Sequence, residues 1–432
     1  MSFPRMPRPG RLRPLGALLA AALVFGACGA TDGTPTPAPP TATPTPATSV
    51  PATPVPDPDA VYDEIERQVA AIRGLAPTGT VARETIDEDE LLRLVSDMFA
   101  EDSPPEYVAA NERLYKALGL LPADSSLRDL TIDLLSGGVA GFYRHDQKKL
   151  YVVSKSGALG ANERITFAHE FDHALQDQYW SVFRDQDGIL DQSDRMLARQ
   201  AIYEGDATLL MSLWASANFT TADMIELLEA AADPEQAALL ERMPAILRET
   251  LLYPYTTGLA FIQGFHSTGG WASVDALYDR MPVSTEQILH PDKYRADEMP
   301  IEVVMPAGLA DRMGAGWSVA LEDSFGELQV RIWLGEGGAT AAVAASAAAG
   351  WGGDRLAVLD GPGGAWGVVL RTAWDSVADA TEFLDAAHVV VNGLSDPARI
   401  SAQPGGTSVT ILIGSDDGTL IDLDRIFGAT GV

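Results

Sequence analysis

The sequence predicts an α+β fold, mainly helical. Three observations carry this expectation. Apolar residues recur every three or four positions along much of residues 59–300. Short apolar runs of strand type are few there, and after residue 300 they alternate with helical stretches. Of the 432 residues, 46% are hydrophobic and 21% charged, enough to bury a sizeable core. Acidic residues outnumber basic ones 60 to 30, for a formal net charge of −30. Phosphate backbones need clustered Lys and Arg, so a nucleic-acid partner is excluded. A single cysteine rules out an internal disulfide framework, a multi-cysteine zinc ribbon and an iron–sulfur site.

Residues 1–27 read as a lipoprotein signal peptide. Arg5, Arg8, Arg11 and Arg13 precede an apolar run over 15–25, too short for a bilayer-spanning helix of about 20 residues. Gly26 and Ala27 then lead into Cys28, which resembles a bacterial lipobox with Phe25 in place of the more usual leucine. The resemblance implies lipid attachment at Cys28 and an extracytoplasmic protein anchored to the bacterial cell membrane. Residues 28–58 form a Pro/Thr-rich tether in which 35–58 hold ten of the 28 prolines. Such a segment favours extended polyproline II and has no core. Residues 59–300 are expected to form the catalytic domain, and 301–432 a smaller α+β domain.

Within the first of these, 59–72 shows helical spacing through Val61, Ile65, Val69 and Ile72, and 88–99 and 106–120 read alike. Strands are expected at 137–143 and 149–154, joined by a polar turn. A helix over 162–179 follows. It contains His169-Glu170-Phe171-Asp172-His173, a His-Glu-x-x-His motif. Residues four apart share a helix face, so both imidazoles can reach one metal ion. Glu170 can reach a metal-bound water and take its proton. Two histidines and a glutamate on an otherwise apolar helix need something to pair with them, and a zinc ion would do so.

If water fills one of zinc's four positions, a third protein ligand is needed. Gln176 and Tyr179 stand where a metzincin carries glycine and histidine, which excludes that class. The better candidate is Glu204, in Glu204-Gly205-Asp206-Ala207 on a helix over 193–215, returned antiparallel by a loop at 186–192. Gly205 and Ala207 are small enough for the two helices to approach closely. Asp206 is the alternative ligand.

His169-Glu170-x-x-His173 with Glu204-Gly205-x-Ala207 resembles the gluzincin zinc metallopeptidases. This resemblance implies a zincin-like catalytic domain, one zinc ion (Zn2+) on His169, His173 and Glu204, and Glu170 as catalytic base. It also implies a peptide or protein substrate, whose backbone adds to an edge strand at 150–154. Thr208 stands where thermolysin-type enzymes carry an aspartate, leaving the outer partner of the upstream histidine unassigned. The rest of the chain resembles a group of uncharacterised bacterial secreted proteins that share 173–178 and 284–291.

Helical character continues over 221–251, is interrupted at Tyr253-Pro254-Tyr255, and resumes over 258–265. Ser284 reads as an N-cap. A gluzincin needs a group to stabilise the oxyanion, and Tyr255, His266 and His290 are the candidates. After residue 300, 339–350 reads as an alanine-rich helix, 355–359, 366–372 and 409–413 as strands, and 376–388 as a helix. Two functions fit: a membrane-anchored zinc metallopeptidase, or a noncatalytic surface lipoprotein retaining the fold. Removing a signal with four arginines and no acid makes the body more negative still, which favours cationic substrates.

Overall fold

The computed structural model describes residues 57–154, 159–182 and 191–428. Cys28, the signal, residues 28–56 of the expected tether and residues 186–190 of the expected loop lie outside the described residues, and the tether's last two residues belong to the first helix as its cap and first position.

Helix α1 (Pro58–Arg73) is capped by the Asp57 carboxylate, has proline in its first turn, and ends on Gly74 in the left-handed conformation. Its buried stripe is Tyr62, Ile65, Val69 and Arg73. The expected stripe through Val61 and Ile72 is thus turned by one residue. Strand β1 (Ala82–Ile86), α2 (Glu88–Asp102), α3 (Pro105–Ala117) and α4 (Leu127–Gly138) follow. Then come β2 (Gly141–Arg144) and β3 (Lys149–Val153), a hairpin. The strand expected from residue 137 begins only at Gly141, because α4 runs to Gly138.

The three strands form a sheet in the order β1-β3-β2, with β3 parallel to β1 and antiparallel to β2. This corrects the expected edge strand at 150–154. β3 is central and bonded on both sides, so no substrate backbone can add to it.

The two long helices α5 (Ala161–Trp180) and α6 (Ser193–Asn218) pack on each other, and α5 also packs on β2, β3 and α1. Both match their expected spans to within a few residues. Residues 221–251 divide into α7 (Thr221–Ala231), α8 (Pro234–Arg242) and α9 (Ala245–Tyr253), α8 starting at a proline and α9 just after Pro244. The chain does not break at Pro254. It passes through a π-helical turn (Pro254–Gly258) straight into α10 (Leu259–Gly269). Proline lacks the N–H for the α ladder and its ring crowds the preceding turn, and the wider π turn accommodates both. Helices α11 (Trp271–Asp279), α12 (Thr285–Leu289), α13 (Pro291–Arg295) and α14 (Leu309–Met313) complete this part. Ser284 caps α12 by accepting from the Gln287 amide.

The remainder is β4 (Ser318–Asp323), α15 (Gly326–Glu336), α16 (Ala341–Ala348), β5 (Trp351–Asp360), β6 (Trp366–Trp374), α17 (Val377–Gly393), β7 (Ala398–Ala402), β8 (Ser408–Gly414) and α18 (Asp417–Phe427). The five strands make an antiparallel sheet in the order β4-β5-β6-β8-β7. Alternation along β5 sends Leu356 and Val358 into one apolar cluster, with Trp333 and Phe383, and Ala357 and Leu359 into another, with Leu423. Both faces are covered, which explains the nearly unbroken apolar runs of β5 and β6. The larger cluster also takes in Phe99, Leu118 and Phe261, so it crosses residue 300. Trp333 donates its indole hydrogen to the Leu118 carbonyl at 3.0 Å across that boundary. The whole is α+β and mainly helical. Among the described residues, no helix is long and apolar enough to cross a membrane.

Candidate metal centre

His169 and His173 lie one turn apart on α5, and Glu204 faces them from α6. The two Nε2 atoms are 3.1 Å apart. Glu204 Oε2 lies 3.2 Å from His169 Nε2 and 3.4 Å from His173 Nε2. Zinc bonds of about 2.0–2.1 Å in tetrahedral geometry place ligand atoms about 3.3 Å apart. The three donor atoms therefore already have the spacing of a zinc ligand face. Glu170 offers a carboxylate oxygen within 4.8 Å of both histidine donors. All four residues are 0% exposed.

The electrostatics also ask for a cation at this point. Three donor atoms converge in a buried space, where imidazole protons or a bound cation must stand between them. Burial pulls His173 down, but the Glu204 carboxylate, followed by Glu170, outweighs it and pushes the imidazole up to about 9. Burial lowers His169, with the neighbouring His173 adding to the effect. Burial would raise Glu204, yet the two imidazoles hold it below the usual carboxylate range. Neutral imidazoles and an ionised carboxylate are the forms that bind a metal, so an incoming ion would displace the proton that Glu204 holds on His173.

Close backbone approach builds the walls. A Cβ on Gly205 would lie 2.6 Å from the backbone of Gly258, and one on Gly258 would lie 2.4 Å from the Ala201 carbonyl oxygen. Gly205 thus seats the π turn on α6, a different role from the expected α5–α6 contact. The turn brings Tyr255 to the site: its ring centroid is 6.1 Å from that of His169, with 30° between the planes. Gly141 does the same for the hairpin, since a Cβ there would meet Thr166 and come within 3.5 Å of Glu170 Cγ.

The other expected residues are placed elsewhere. His290, 39% exposed, shares a hydrogen with Glu327 Oε1 at 2.8 Å, and that carboxylate raises its pKa. His266 packs edge-on against Trp271. Asp206, the alternative ligand, is tied up from behind: its Oδ2 accepts from Arg73 Nη2 at 3.0 Å and from the Tyr278 hydroxyl at 2.6 Å. Among the described residues, His169 Nδ1 has no hydrogen-bond partner, in keeping with threonine at position 208.

Sequence reasoning missed the cluster behind the ligands. The Arg73 side chain is fully buried at the end of α1, ion-paired with Asp275 at 2.7 Å, Asp206 at 3.0 Å and Asp172 at 3.8 Å. Trp271 and Trp180 cover its guanidinium. Burial lowers its pKa, but the carboxylates outweigh this and raise it. The signal was present, because a charged residue at position 73 continues the four-residue spacing of Ile65 and Val69.

What this geometry defines is a buried two-histidine, one-carboxylate cluster beside a further carboxylate. Comparisons with known proteins add little to it. Residues 318–422 match a family described as a domain of unknown function (DUF8575), the region of the five-stranded sheet. No curated protein matches the chain. One solved structure, titled "Crystal structure of a putative hydrolase with a novel fold from Chloroflexus aurantiacus", is similar at 16% identity with a TM-score of 0.32. The match covers 55% of this chain and 88% of that one. At that TM-score the likeness defines neither fold nor activity.

Proposed function

We propose that this chain is a zinc-dependent hydrolase acting on peptide bonds, exported and anchored to the membrane through a lipid on Cys28. The observation that carries the reading is the convergence of His169 Nε2, His173 Nε2 and Glu204 Oε2 at 3.1–3.4 Å, with Glu170 alongside. Those three atoms would hold the ion. Zinc bound there supplies a Lewis acid and a water acidic enough to attack at neutral pH. Glu170 takes the proton of the attacking water on a carboxylate oxygen and delivers it to the leaving amine. Tyr255, beside His169, is the better placed of the expected oxyanion stabilisers. A cavity of about 1010 Å3 opens near the start of α5, at Asn162 and Glu163, and none of His169, Glu170, His173 and Glu204 lines it. Its walls carry Glu88, Asp89, Asp133, Glu226 and Glu235 against Arg242, an acidic surface that would attract a cationic peptide.

The test is metal content followed by hydrolysis. One zinc per chain is expected in wild type and none in His169→Ala. Glu170→Gln should keep metal and fold and lose peptide cleavage by at least ~100-fold. A well-folded wild-type protein that takes up no zinc would overturn the reading. Acylation with labelled fatty acid, abolished in Cys28→Ser, tests the anchor.

A noncatalytic lipoprotein is the second reading. The complete burial of His169, Glu170, His173 and Glu204 favours it, since a substrate must reach a catalytic ion. That reading expects bound zinc without cleavage of any peptide in a library.

A further inference from the structure

We propose that Gln176 is a positioning residue that fixes the tautomer of His173, presenting its Nε2 lone pair to His169 and Glu204. The inference rests on the metal reading above and starts from the amide of Gln176, one turn after His173 on α5.

The Gln176 side chain is fully buried and makes three hydrogen bonds. Its Nε2 lies 3.0 Å from Asp172 Oδ2 and 3.0 Å from the Tyr203 carbonyl oxygen. Its Oε1 lies 2.9 Å from His173 Nδ1. A backbone carbonyl can only accept, so the group facing Tyr203 must be the amide nitrogen. The amide has two hydrogens there and two acceptors for them. The oxygen is therefore turned to His173, and an oxygen can only accept. His173 must carry a hydrogen on Nδ1, and the neutral ring then has its lone pair on Nε2. That atom is the one 3.1 Å from His169 Nε2 and 3.4 Å from Glu204 Oε2.

The arrangement is anchored on both sides. The Tyr203 carbonyl precedes Glu204, so one side chain ties a ligand on α5 to the backbone bearing the ligand on α6. Asp172 is held in turn by the Arg73 guanidinium, which also holds Asp206. An outer partner on Nδ1 orients a metal-bound imidazole and raises its basicity, and losing it typically costs 10–100-fold in metal affinity.

The experiment combines NMR of the imidazole nitrogens with zinc titration, on wild type and two variants. In metal-free wild type with the His173 ring neutral, Nδ1 is expected to be protonated and Nε2 bare. Gln176→Met removes the acceptor at similar volume. It should release the hydrogen to Nε2 in part and weaken zinc binding 10–100-fold. Gln176→Glu still accepts from Nδ1 and should keep the wild-type tautomer. A wild-type His173 protonated on Nε2 overturns the proposal even if neither variant folds. So does Gln176→Met with unchanged tautomer and affinity. Failure of wild type to bind zinc would instead sink the metal reading, and the nitrogen signals would still decide this proposal.

Discussion

Arg73 is the residue whose removal the fold should tolerate least. Its guanidinium sits at zero side-chain exposure among Asp206, Asp275 and Asp172, of which Asp206 and Asp172 are equally buried. Arg73→Met keeps the stem and much of the packing against Trp271 but leaves two buried carboxylates without a cation. Breaking a buried pair by removing one partner costs about 3–5 kcal/mol. In a folded body of about 360 residues each kcal/mol moves Tm by about 1.3 °C, so a fall of about 4–7 °C is expected. Arg73→Lys keeps the charge, but one ammonium cannot meet three carboxylates that the fork reaches from separate nitrogens, so it should recover only part of the loss. The assay is thermal and urea unfolding of wild type, both single variants and Arg73→Met with Asp206→Asn. The double variant removes one stranded charge and should be more stable than Arg73→Met alone. A loss below about 1 kcal/mol in Arg73→Met would refute the reasoning, as would a double variant less stable than the single.

Gly258→Ala places a Cβ 2.4 Å from the Ala201 carbonyl oxygen, a backbone atom that cannot swing aside. Overpacking of this kind costs about 1–3 kcal/mol, and it should also weaken zinc binding by lifting the π turn from α6; urea unfolding and zinc titration check both. Asp194 is buried, and burial pushes its carboxyl up to about 8 despite the Thr285 amide and hydroxyl that donate to it. Between its unfolded value near ~4 and about 8, the folded chain holds a proton that the unfolded chain has shed. Stability conferred by this group therefore falls as pH rises through that window. Asp194→Asn cannot titrate, so its stability relative to wild type should increase by a few kcal/mol between pH ~5 and ~8, and a pH-independent difference in urea unfolding would count against this. Chelation should lower Tm by the linked binding energy, about 2.7 kcal/mol at free zinc 100 times Kd, and differential scanning calorimetry with and without chelator reads it.

Much of the site was legible because its elements are local. The motif helix and the helix of Glu204 show their spans through apolar spacing, and the four-residue step from His169 to His173 dictates a shared face. What was not legible depends on distant pairing. β1 is short, and Arg83 and Glu84 break any apolar run, so only its parallel register with β3 makes it a strand. That partner is also what makes β3 central. Pro254 signalled a break by its missing N–H, but packing of Gly258 on Ala201 holds the chain helical through it. Gln176 was read only for the glycine it replaces, while its use follows from Tyr203, a neighbour only in three dimensions. Arg73 was visible in principle, as a charge on a buried stripe, but its partners lie about 100 to 200 residues along the chain.

Those separations bear on when the metal centre comes into being. His169, His173 and Glu204 all lie within α5 and α6, yet their neighbour Asp206 is held by Arg73 on one side and Tyr278 on the other. The Arg73–Asp206 contact closes a loop of 133 residues, and the Tyr278–Asp206 contact one of 72. Contacts of such range form late, after local helices and hairpins. A fragment spanning only α5 and α6 would contain every proposed ligand and lack these long-range contacts. On the proposed zinc reading, metal capture then reports a finished tertiary structure and does not nucleate one.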